Sequence, residues 1–265
     1  MTPLDAALLG LVQGLTEFLP VSSSGHLVLT ASLLGLEPNL LFDVLVHLAT
    51  LIATLVYYRE DVLSVVRALI AAPGKGFEES WHDDSFRLAA YVVVASVPTA
   101  MMGLGLKDLI ETHLATPKYV ALFLCLTGVL LALTLVKRKT TDLVRLTLGS
   151  AVILGIVQGC AILPGISRSG STIAIALVLG IAGKEAARFS FLMALPAIGG
   201  ATLLSVLKLS EANLSLFSTS VGFAAAGISG WLALRWFIPL VERGKLHIFA
   251  PYVWALALGT WFWMS

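Results

Sequence analysis

Long apolar runs recur along the chain and are separated by short polar segments. A bilayer core of about 30 Å needs roughly 20 apolar residues of helix. Six runs meet this requirement, and we predict a transmembrane helix in each: residues 41–58, 88–106, 119–136, 188–207, 217–238 and 248–264. The pattern therefore predicts an all-α integral membrane protein whose residues 1–265 form a single membrane domain.

Two further apolar stretches, 3–36 and 147–182, are interrupted near their centres by polar residues. The first interruption runs from Pro20 to His26 and the second from Pro164 to Thr172. Unpaired backbone groups or an arginine exposed to hydrocarbon each cost several kcal/mol, so neither interruption can face lipid. We predict two re-entrant helical hairpins, each with a polar tip near the middle of the bilayer.

The composition supports a membrane protein and excludes one class of partner. Hydrophobic residues make up 58% of the chain and charged residues 12%, whereas about a quarter of a soluble protein is charged. Seventeen Lys and Arg against sixteen Asp and Glu leave a net charge of +1. No basic field is available to bind nucleic acid. Cys125 and Cys160 both lie in apolar runs, which argues against a disulfide framework or a thiolate metal site.

The loop charges indicate which way the chain faces. If each hairpin returns to the side from which it enters, one face carries only Lys107, Lys118 and Lys208. The opposite face carries thirteen basic residues: Arg59, Arg67, Lys75, Arg87, Lys137, Arg138, Lys139, Arg145, Lys184, Arg188, Arg235, Arg243 and Lys245. Basic loops face the cytoplasm. We therefore predict a multi-pass protein of the plasma (inner) membrane with both termini outside.

The two hairpins are related by an internal repeat. Aligning the chain with itself at an offset of 145 residues gives eleven identities in positions 9–35, including both polar tips. Each repeat, approximately 1–140 and 146–265, contains one hairpin and three spans. Because three is odd, the halves have opposite orientations. Such inverted-topology repeats place a site where their broken helices meet near the midplane.

The tips bring together residues that can bind an anion. Gln13 and Glu17 are four residues apart and share one helix face. Arg168 presents a planar set of donors that matches phosphate oxygens, and the helix after each tip begins with free N–H groups. We predict that an anion lies between the tips, among the following polar residues: Gln13, Glu17, Ser22, Ser23, Ser24, His26, Ser167, Arg168, Ser169, Ser171 and Thr172.

Structural alternatives exist for several of these residues. Glu17 and Arg168 could form an ion pair that only joins the hairpins, and His26 could be a hydrogen-bonded core histidine. Ionisable residues inside a membrane are functional candidates by default. Asp43 and His47, four residues apart near the outer end of the first span, suit an interfacial or capping role and a supporting role in the site equally well.

The two interruptions resemble the motifs of a known family. QGLTEFLPVSSSGH, from Gln13 to His26, is similar to the first motif of the undecaprenyl-diphosphate phosphatases, once called bacitracin-resistance proteins. PGISRSGST, from Pro164 to Thr172, is similar to their second motif, and the resemblance extends over the whole chain. It implies a metal-dependent membrane phosphatase that removes the terminal phosphate of a polyprenyl diphosphate. The site would open to the outer face, and the reaction would recycle the lipid carrier of cell-wall synthesis.

The resemblance also implies residue roles. Glu17 matches the family's second acidic residue, Ser23 and His26 match its catalytic serine and histidine, and Arg168 matches its phosphate-binding arginine. The first acidic position is Gln13 here, an amide that brings no charge to a metal. The implied cofactor is a divalent cation, Mg²⁺ or Ca²⁺, with Glu17 as ligand. The attacking group is left open between Ser23, His26 and water. Substrate contacts are expected from Gln13, Ser22, Ser24, Gly25, Ser167, Ser169, Gly170 and Thr172.

A second function class fits the same architecture. An inverted repeat with polar tips at the midplane also describes a secondary transporter or a lipid-carrier flippase. The catalytic character of the tips favours the phosphatase, because a transporter needs no aligned carboxylate, serine, histidine and arginine. The expected partners are the polyprenyl diphosphate lipid and the bilayer. A homodimer is compatible with the sequence, which does not fix the oligomeric state.

Cysteine labelling in intact cells tests the predicted orientation. With Cys125 and Cys160 replaced by alanine, Arg138→Cys should not react with a membrane-impermeant thiol reagent added outside, because thirteen basic residues place that face in the cytoplasm. Lys118→Cys, on the opposite face, serves as the matched control and should react. Labelling of position 138 from outside would reverse the orientation.

Overall fold

The computed structural model describes residues 1–37, 39–106, 109–114, 116–135, 146–208 and 215–263, and in these ranges the regular structure is helical. The first half contains α1 (Pro3–Phe18), α2 (Ser23–Leu33), α3 (Leu40–Tyr57), α4 (Arg59–Lys75), α5 (Phe77–Trp81), α6 (Asp84–Gly105), a π-helical turn (Ile110–Leu114) and α7 (Pro117–Leu133). The second half contains α8 (Leu148–Cys160), α9 (Arg168–Val178), α10 (Gly183–Lys208), α11 (Leu216–Glu242), a 3₁₀ turn (Leu246–Phe249) and α12 (Ala250–Trp263).

Four helices are long and apolar enough to cross a membrane, namely α3, α6, α10 and α11. They coincide with four of the six predicted spans. The other two predictions, 119–136 and 248–264, fall on α7 and α12, which are shorter at 17 and 14 residues. Large apolar side chains lie exposed on the outer faces of the helices, for example Phe262 at 76% exposure. Such a surface suits lipid rather than water, so the fold is that of a multi-pass membrane protein.

Part of the charge asymmetry depends on residues outside the described ranges. These are Lys107, Lys137, Arg138, Lys139 and Arg145. The polar segment at about 73–87 is mostly helical. The chain from residue 59 to residue 81 forms α4 and α5, two helices that the pattern of apolar runs does not predict. Both helices start with acidic residues in the first turn, which favour helix formation there.

Each interrupted apolar stretch forms two helices joined by a turn, as expected from the polar interruptions. Thr2 caps the start of α1 together with Asp5, and Thr147 caps the start of α8 together with Ser150. These reciprocal caps satisfy the first free N–H groups of each helix. The first turn passes through Ser22 at φ 70°, a left-handed conformation that is uncommon for a residue other than glycine.

The first helix of each hairpin packs closely against a long helix from the other half of the chain. α1 lies against α11, and α8 lies against α6. A Cβ atom added to Gly10 would overlap the carbonyl oxygen of Gly222, and one added to Gly155 would overlap the carbonyl oxygen of Ala95. Glycine is needed at both contacts because the two backbones touch there. Gly10 and Gly155 are themselves 145 residues apart, which is the offset of the sequence repeat.

A cluster of aromatic rings fixes the end of α1. The ring centroids of Phe18 and Phe191 are 5.7 Å apart in an edge-on arrangement, and those of Phe191 and Phe237 are 6.4 Å apart. All three side chains are almost completely buried. The last turn of α1 is therefore held against α10 and α11, and this places the neighbouring Glu17 in the interior.

The glycine contact gives a stability prediction. Gly155→Ala should lower the free energy of unfolding by about 1–3 kcal/mol, because the new methyl group forces α8 away from α6. The loss is measured as a lower Tm of the detergent-solubilised protein. Gly259→Ala in α12 is the matched control, since its added Cβ meets no atom within 4 Å. Equal Tm values for the two variants would contradict the close packing of α8 on α6.

Candidate active site

The carboxylate of Glu17 lies at the centre of the region where the hairpin tips meet. Its Oε1 accepts a hydrogen bond from Nη2 of Arg168 at 2.5 Å. Its Oε2 accepts from the Ser23 hydroxyl at 2.6 Å and from Nε2 of Gln13 at 3.1 Å. The side chain is only 7% exposed, so these contacts form in the protein interior. One carboxylate thus binds residues from both hairpins.

The helices explain this convergence. Gln13 and Glu17 are one turn apart on α1, and Ser23 and Arg168 are the first residues of α2 and α9. These two first residues occupy equivalent positions at the 145-residue offset. The tips also bind each other directly, since the Ser169 hydroxyl donates to the carbonyl oxygen of Leu19 at 3.2 Å. The same repeat position therefore supplies a hydroxyl from one tip and a guanidinium from the other.

Polar atoms at this site lack protein partners. Nη1 of Arg168 and Oε1 of Gln13 are buried without a hydrogen-bond partner among the described residues. Buried polar groups are nearly always hydrogen-bonded, so such atoms call for an explanation. The Arg168 guanidinium uses Nη2 for Glu17 and keeps Nη1 available as a donor. A phosphate oxygen bound there would complete the hydrogen bonding of the arginine.

A cavity of about 390 Å³ opens beside these residues. Six of the predicted site residues line it: Glu17, Ser22, Ser23, Ser24, Ser167 and Arg168. The remaining predicted residues are close in sequence but do not line the cavity: Gln13, Gly25, His26, Ser169, Gly170, Ser171 and Thr172. The structure thus brings the carboxylate, the tip serines and the arginine together around one space.

The His26 side chain contacts Ser22 and Tyr252 rather than the carboxylate at the centre of the site. Its Nδ1 lies 2.8 Å from the carbonyl oxygen of Ser22, and its Nε2 lies 2.7 Å from the hydroxyl of Tyr252. The two rings are also stacked, with centroids 5.8 Å apart. If Nδ1 donates to the carbonyl, Nε2 accepts from the tyrosine. In this conformation His26 connects α2 with α12 rather than contacting Glu17.

Thr172 and Gly170 shape the second tip. The Thr172 hydroxyl lies 2.6 Å from the hydroxyl of Ser190 on α10 and also donates to the carbonyl oxygen of Arg168 at 2.7 Å. A Cβ atom added to Gly170 would lie 2.9 Å from Cβ of Pro20 in the other tip. Both residues therefore support the position of Arg168 and the close approach of the tips.

His47 on α3 is a site residue that the motifs did not identify. Its Nε2 is 3.9 Å from Oε2 of Glu17, and its Nδ1 lies 2.7 Å from the carbonyl oxygen of Asp43. Both Asp43 and His47 line the cavity. The signal in the sequence was the spacing of four residues between Asp43 and His47 within an apolar span. That spacing suited an interfacial or capping role and a supporting role in the site equally well. The structure supports the role beside the site.

The donor set limits how a divalent cation could bind. Among the described residues, no group of three or more His, Cys, Asp and Glu side chains could hold a metal ion. Glu17 is the carboxylate at the centre of the site, and the buried Oε1 of Gln13 is a neutral oxygen that has no hydrogen-bond partner within the described ranges. These residues fit a cation whose other ligands are phosphate oxygens and water, which is a common arrangement for Mg²⁺.

Comparison with known proteins assigns the chain to a group of relatives. Residues 6–259 match the family described as "Bacitracin resistance protein BacA". A protein named undecaprenyl-diphosphatase from Desulfosudis oleivorans is 44% identical over 275 residues, covering 100% of this chain and 99% of that protein. Another of the same name, from Methanobrevibacter smithii, is 40% identical over 266 residues, covering 97% of this chain and 96% of that protein. The similarity therefore includes both hairpins and the residues around the cavity.

The buried ion pair generates a stability prediction. Arg168→Met should destabilise the protein by about 3–5 kcal/mol, because it leaves the Glu17 carboxylate buried without its cation. The double variant Glu17→Gln with Arg168→Met removes both charges and should regain most of the lost Tm. Thermal unfolding in detergent measures both effects. A double variant as unstable as the single one would show that the two charges do not stabilise each other.

Proposed function

The chain belongs to the bacitracin resistance protein BacA family, and on this premise we propose that it hydrolyses undecaprenyl diphosphate to undecaprenyl phosphate and inorganic phosphate. The relatives that match over nearly the whole chain are named undecaprenyl-diphosphatase. The observation that carries the proposal is the convergence of Glu17, Ser23 and Arg168 on one cavity. Hydrolysis of a phosphoanhydride requires a proton acceptor, a hydroxyl group and a positively charged group that binds phosphate. Glu17, Ser23 and Arg168 can provide these three groups.

Arg168 binds and orients the terminal phosphate in this proposal. Its guanidinium is planar and always charged, so it can donate two parallel hydrogen bonds to phosphate oxygens. Nη1 has no hydrogen-bond partner in the described part of the chain, and Arg168 itself lines the cavity. As the terminal phosphoryl group is transferred, its charge spreads over the equatorial oxygens. Fixed donors in a site with little water stabilise that charge strongly.

Glu17 accepts the proton of the attacking group. The Ser23 hydroxyl donates to Glu17 at 2.6 Å, which lies within the range for a nucleophile and its base. Attack by an oxygen on the terminal phosphorus forms one P–O bond and breaks the bond to the bridging oxygen, so prenyl monophosphate leaves. If Ser23 attacks, water then releases phosphate from the serine. If water attacks, Ser23 positions it. His26 is a weaker candidate because it bonds to Ser22 and Tyr252.

A divalent cation, Mg²⁺ or Ca²⁺, remains part of the proposal. Glu17 would hold it together with oxygens of the diphosphate, and the bound ion would neutralise phosphate charge. The residues of the chain itself orient the substrate and move the proton. Gln13 supports Glu17 through its amide hydrogen bond at 3.1 Å and, being neutral, adds no second negative charge beside the carboxylate.

The proposed architecture has six spans and two re-entrant hairpins in an inverted repeat. The glycine contacts support it. Cβ atoms added to Gly10 and Gly14 would strike Gly222 and Ser229 of α11, and those added to Gly155 and Gly159 would strike Ala95 and Met102 of α6. In both cases the two partners are seven residues apart. A duplicated hairpin packed in the same way on a duplicated helix gives this correspondence.

The loop charges orient this architecture in the plasma membrane. The basic residues Lys184 and Arg188 mark the start of α10 as cytoplasmic, and the later part of α10 lines the cavity. The cavity then opens towards the outer half of the bilayer, and both termini lie outside. The rival prediction, a secondary transporter or lipid-carrier flippase, is not favoured, because the relatives carry the name of a phosphatase.

Phosphate release tests the proposed reaction. The purified protein in detergent should release inorganic phosphate from undecaprenyl diphosphate, and a chelator should abolish the release until Mg²⁺ or Ca²⁺ is added back. Arg168→Lys keeps the charge but loses the paired donors, so kcat should fall by roughly 100-fold or more while the Tm stays near that of the wild type.

Two outcomes would contradict this mechanism. No release of phosphate by a folded wild-type protein would reject the proposed function. Near wild-type turnover by Arg168→Lys would reject the arginine as the phosphate-binding group and favour the structural ion pair instead.

A further inference from the structure

His47 on α3 lies beside Glu17 but has no part in the reaction steps described above. Nε2 of its imidazole is 3.9 Å from Oε2 of the carboxylate. A direct hydrogen bond between an imidazole and a carboxylate spans about 2.7–2.9 Å, so these two atoms do not bind each other. Two hydrogen bonds of about 2.8 Å that meet at one water oxygen span about 4–4.5 Å. The observed separation is close to that of a pair bridged by one water.

A backbone contact fixes the hydrogen-bonding role of the imidazole. Nδ1 lies 2.7 Å from the carbonyl oxygen of Asp43, one turn earlier on α3. A carbonyl oxygen only accepts, so Nδ1 carries the hydrogen and Nε2 of the neutral ring is an acceptor. Oε2 of Glu17 is an acceptor as well. Two acceptors that face each other need a donor between them, and a water has two hydrogens to donate.

The surrounding space can hold a water next to a bound phosphate. Glu17, His47 and Arg168 all line the cavity of about 390 Å³. One water occupies about 30 Å³, so a phosphate group and several waters fit there. Arg168 binds Oε1 of Glu17, whereas His47 lies beside Oε2. A phosphate at Arg168 and a water at Oε2 would therefore be neighbours across one carboxylate.

The fold itself does not require an imidazole at this position. At the offset of 145 residues, the equivalents of Glu17 and His47 are Ile162 and Leu192, which are both aliphatic. Leu192 lies on α10 and is only 5% exposed, so the equivalent helix packs well with leucine there. The carboxylate and the imidazole thus occur together in one repeat and are both absent from the equivalent positions of the other. This pattern favours a role in the site over a role in packing.

We propose that Oε2 of Glu17 and Nε2 of His47 accept the two hydrogens of the water that attacks phosphorus, so that His47 positions this water. The inference rests on the proposed function and locates its water. The water oxygen forms a bond to phosphorus, one proton passes to Oε2, and the second hydrogen stays on the product phosphate. The bond to the bridging oxygen breaks, and its electron pair leaves with the prenyl monophosphate. His47 stays neutral throughout.

The same water serves if Ser23 attacks first. The serine proton then leaves with the prenyl monophosphate, and the water attacks the phosphoserine. The bond between phosphorus and Oγ of Ser23 breaks, and the proton that Oε2 takes from the water passes to Oγ. Both routes therefore need a water at the place between Glu17 and His47.

Substitutions of similar chemistry but different length test this role. Gln places an amide oxygen near the position of Nε2, whereas the shorter Asn reaches only the position of Nδ1 and the Asp43 carbonyl. In His47→Leu and His47→Asn, kcat for phosphate release from undecaprenyl diphosphate should fall roughly 10- to 100-fold with KM nearly unchanged, because the water loses one acceptor. His47→Gln should recover most of kcat. The purified variants are assayed over a series of Mg²⁺ concentrations, and their Tm values confirm folding.

Three results would overturn the proposal while the proposed function stands. If the contact with Asp43 is what matters, Asn replaces it better than Gln, and kcat of His47→Asn exceeds that of His47→Gln. Wild-type kcat in all three variants would remove His47 from the reaction. A loss in His47→Leu that higher Mg²⁺ reverses would make His47 a ligand of the cation.

A matched control and the wild type complete the experiment. His82→Leu replaces a histidine at an exposed position outside the cavity and should keep the wild-type kcat. A folded wild-type protein that releases no phosphate from undecaprenyl diphosphate would reject the proposed function itself, and this inference with it.

Discussion

The contact between Glu17 and Arg168 is the interaction on which the site depends. The two charges come from different hairpins, 151 residues apart in the chain, and meet at 2.5 Å with side-chain exposures of 7% and 16%. A buried charge is costly unless it is paired, so each residue is tolerated only while the other is in place. Two features of the fold make this pairing possible, because they bring the two tips within reach of each other. They are the glycine contacts of α1 and α8 and the aromatic cluster at Phe18.

In the proposed reaction the same pairing couples binding to chemistry. A diphosphate that takes hydrogen bonds from Arg168 would compete with Glu17 for the guanidinium, while Nη1 offers a donor that the carboxylate does not use. Substrate binding would therefore weaken the ion pair and leave Glu17 with the Ser23 hydroxyl as its nearest strong partner. The carboxylate would then be a better proton acceptor once the phosphate is in position. A site whose charges were permanently matched would lack this response.

The sequence predicted the parts of the fold that depend on local pattern. The interrupted apolar runs predicted one helix on each side of each polar tip, and the structure contains them as α1 with α2 and α8 with α9. The motifs predicted that Glu17, Ser23 and Arg168 lie close together, as they do. Other features depend on tertiary contacts, which the local pattern does not determine. The imidazole of His26 is directed by Tyr252, 226 residues away, and His47 reaches Glu17 only because α3 packs beside the first tip. The helix α4 was missed because charged residues interrupt its apolar positions, so it contains no long apolar run.

His47 lines two adjoining cavities at the site. One, of about 390 Å³, also contains Glu17 and Arg168, and the other, of about 580 Å³, contains neither. Ser24 and Asp43 line both cavities as well, so the two spaces meet beside the carboxylate. Glu17 and Arg168 nevertheless keep side-chain exposures of only 7% and 16%. Charges shielded from bulk water interact in a lower effective dielectric, so in the proposed reaction this burial strengthens the field that the pair exerts on a phosphate.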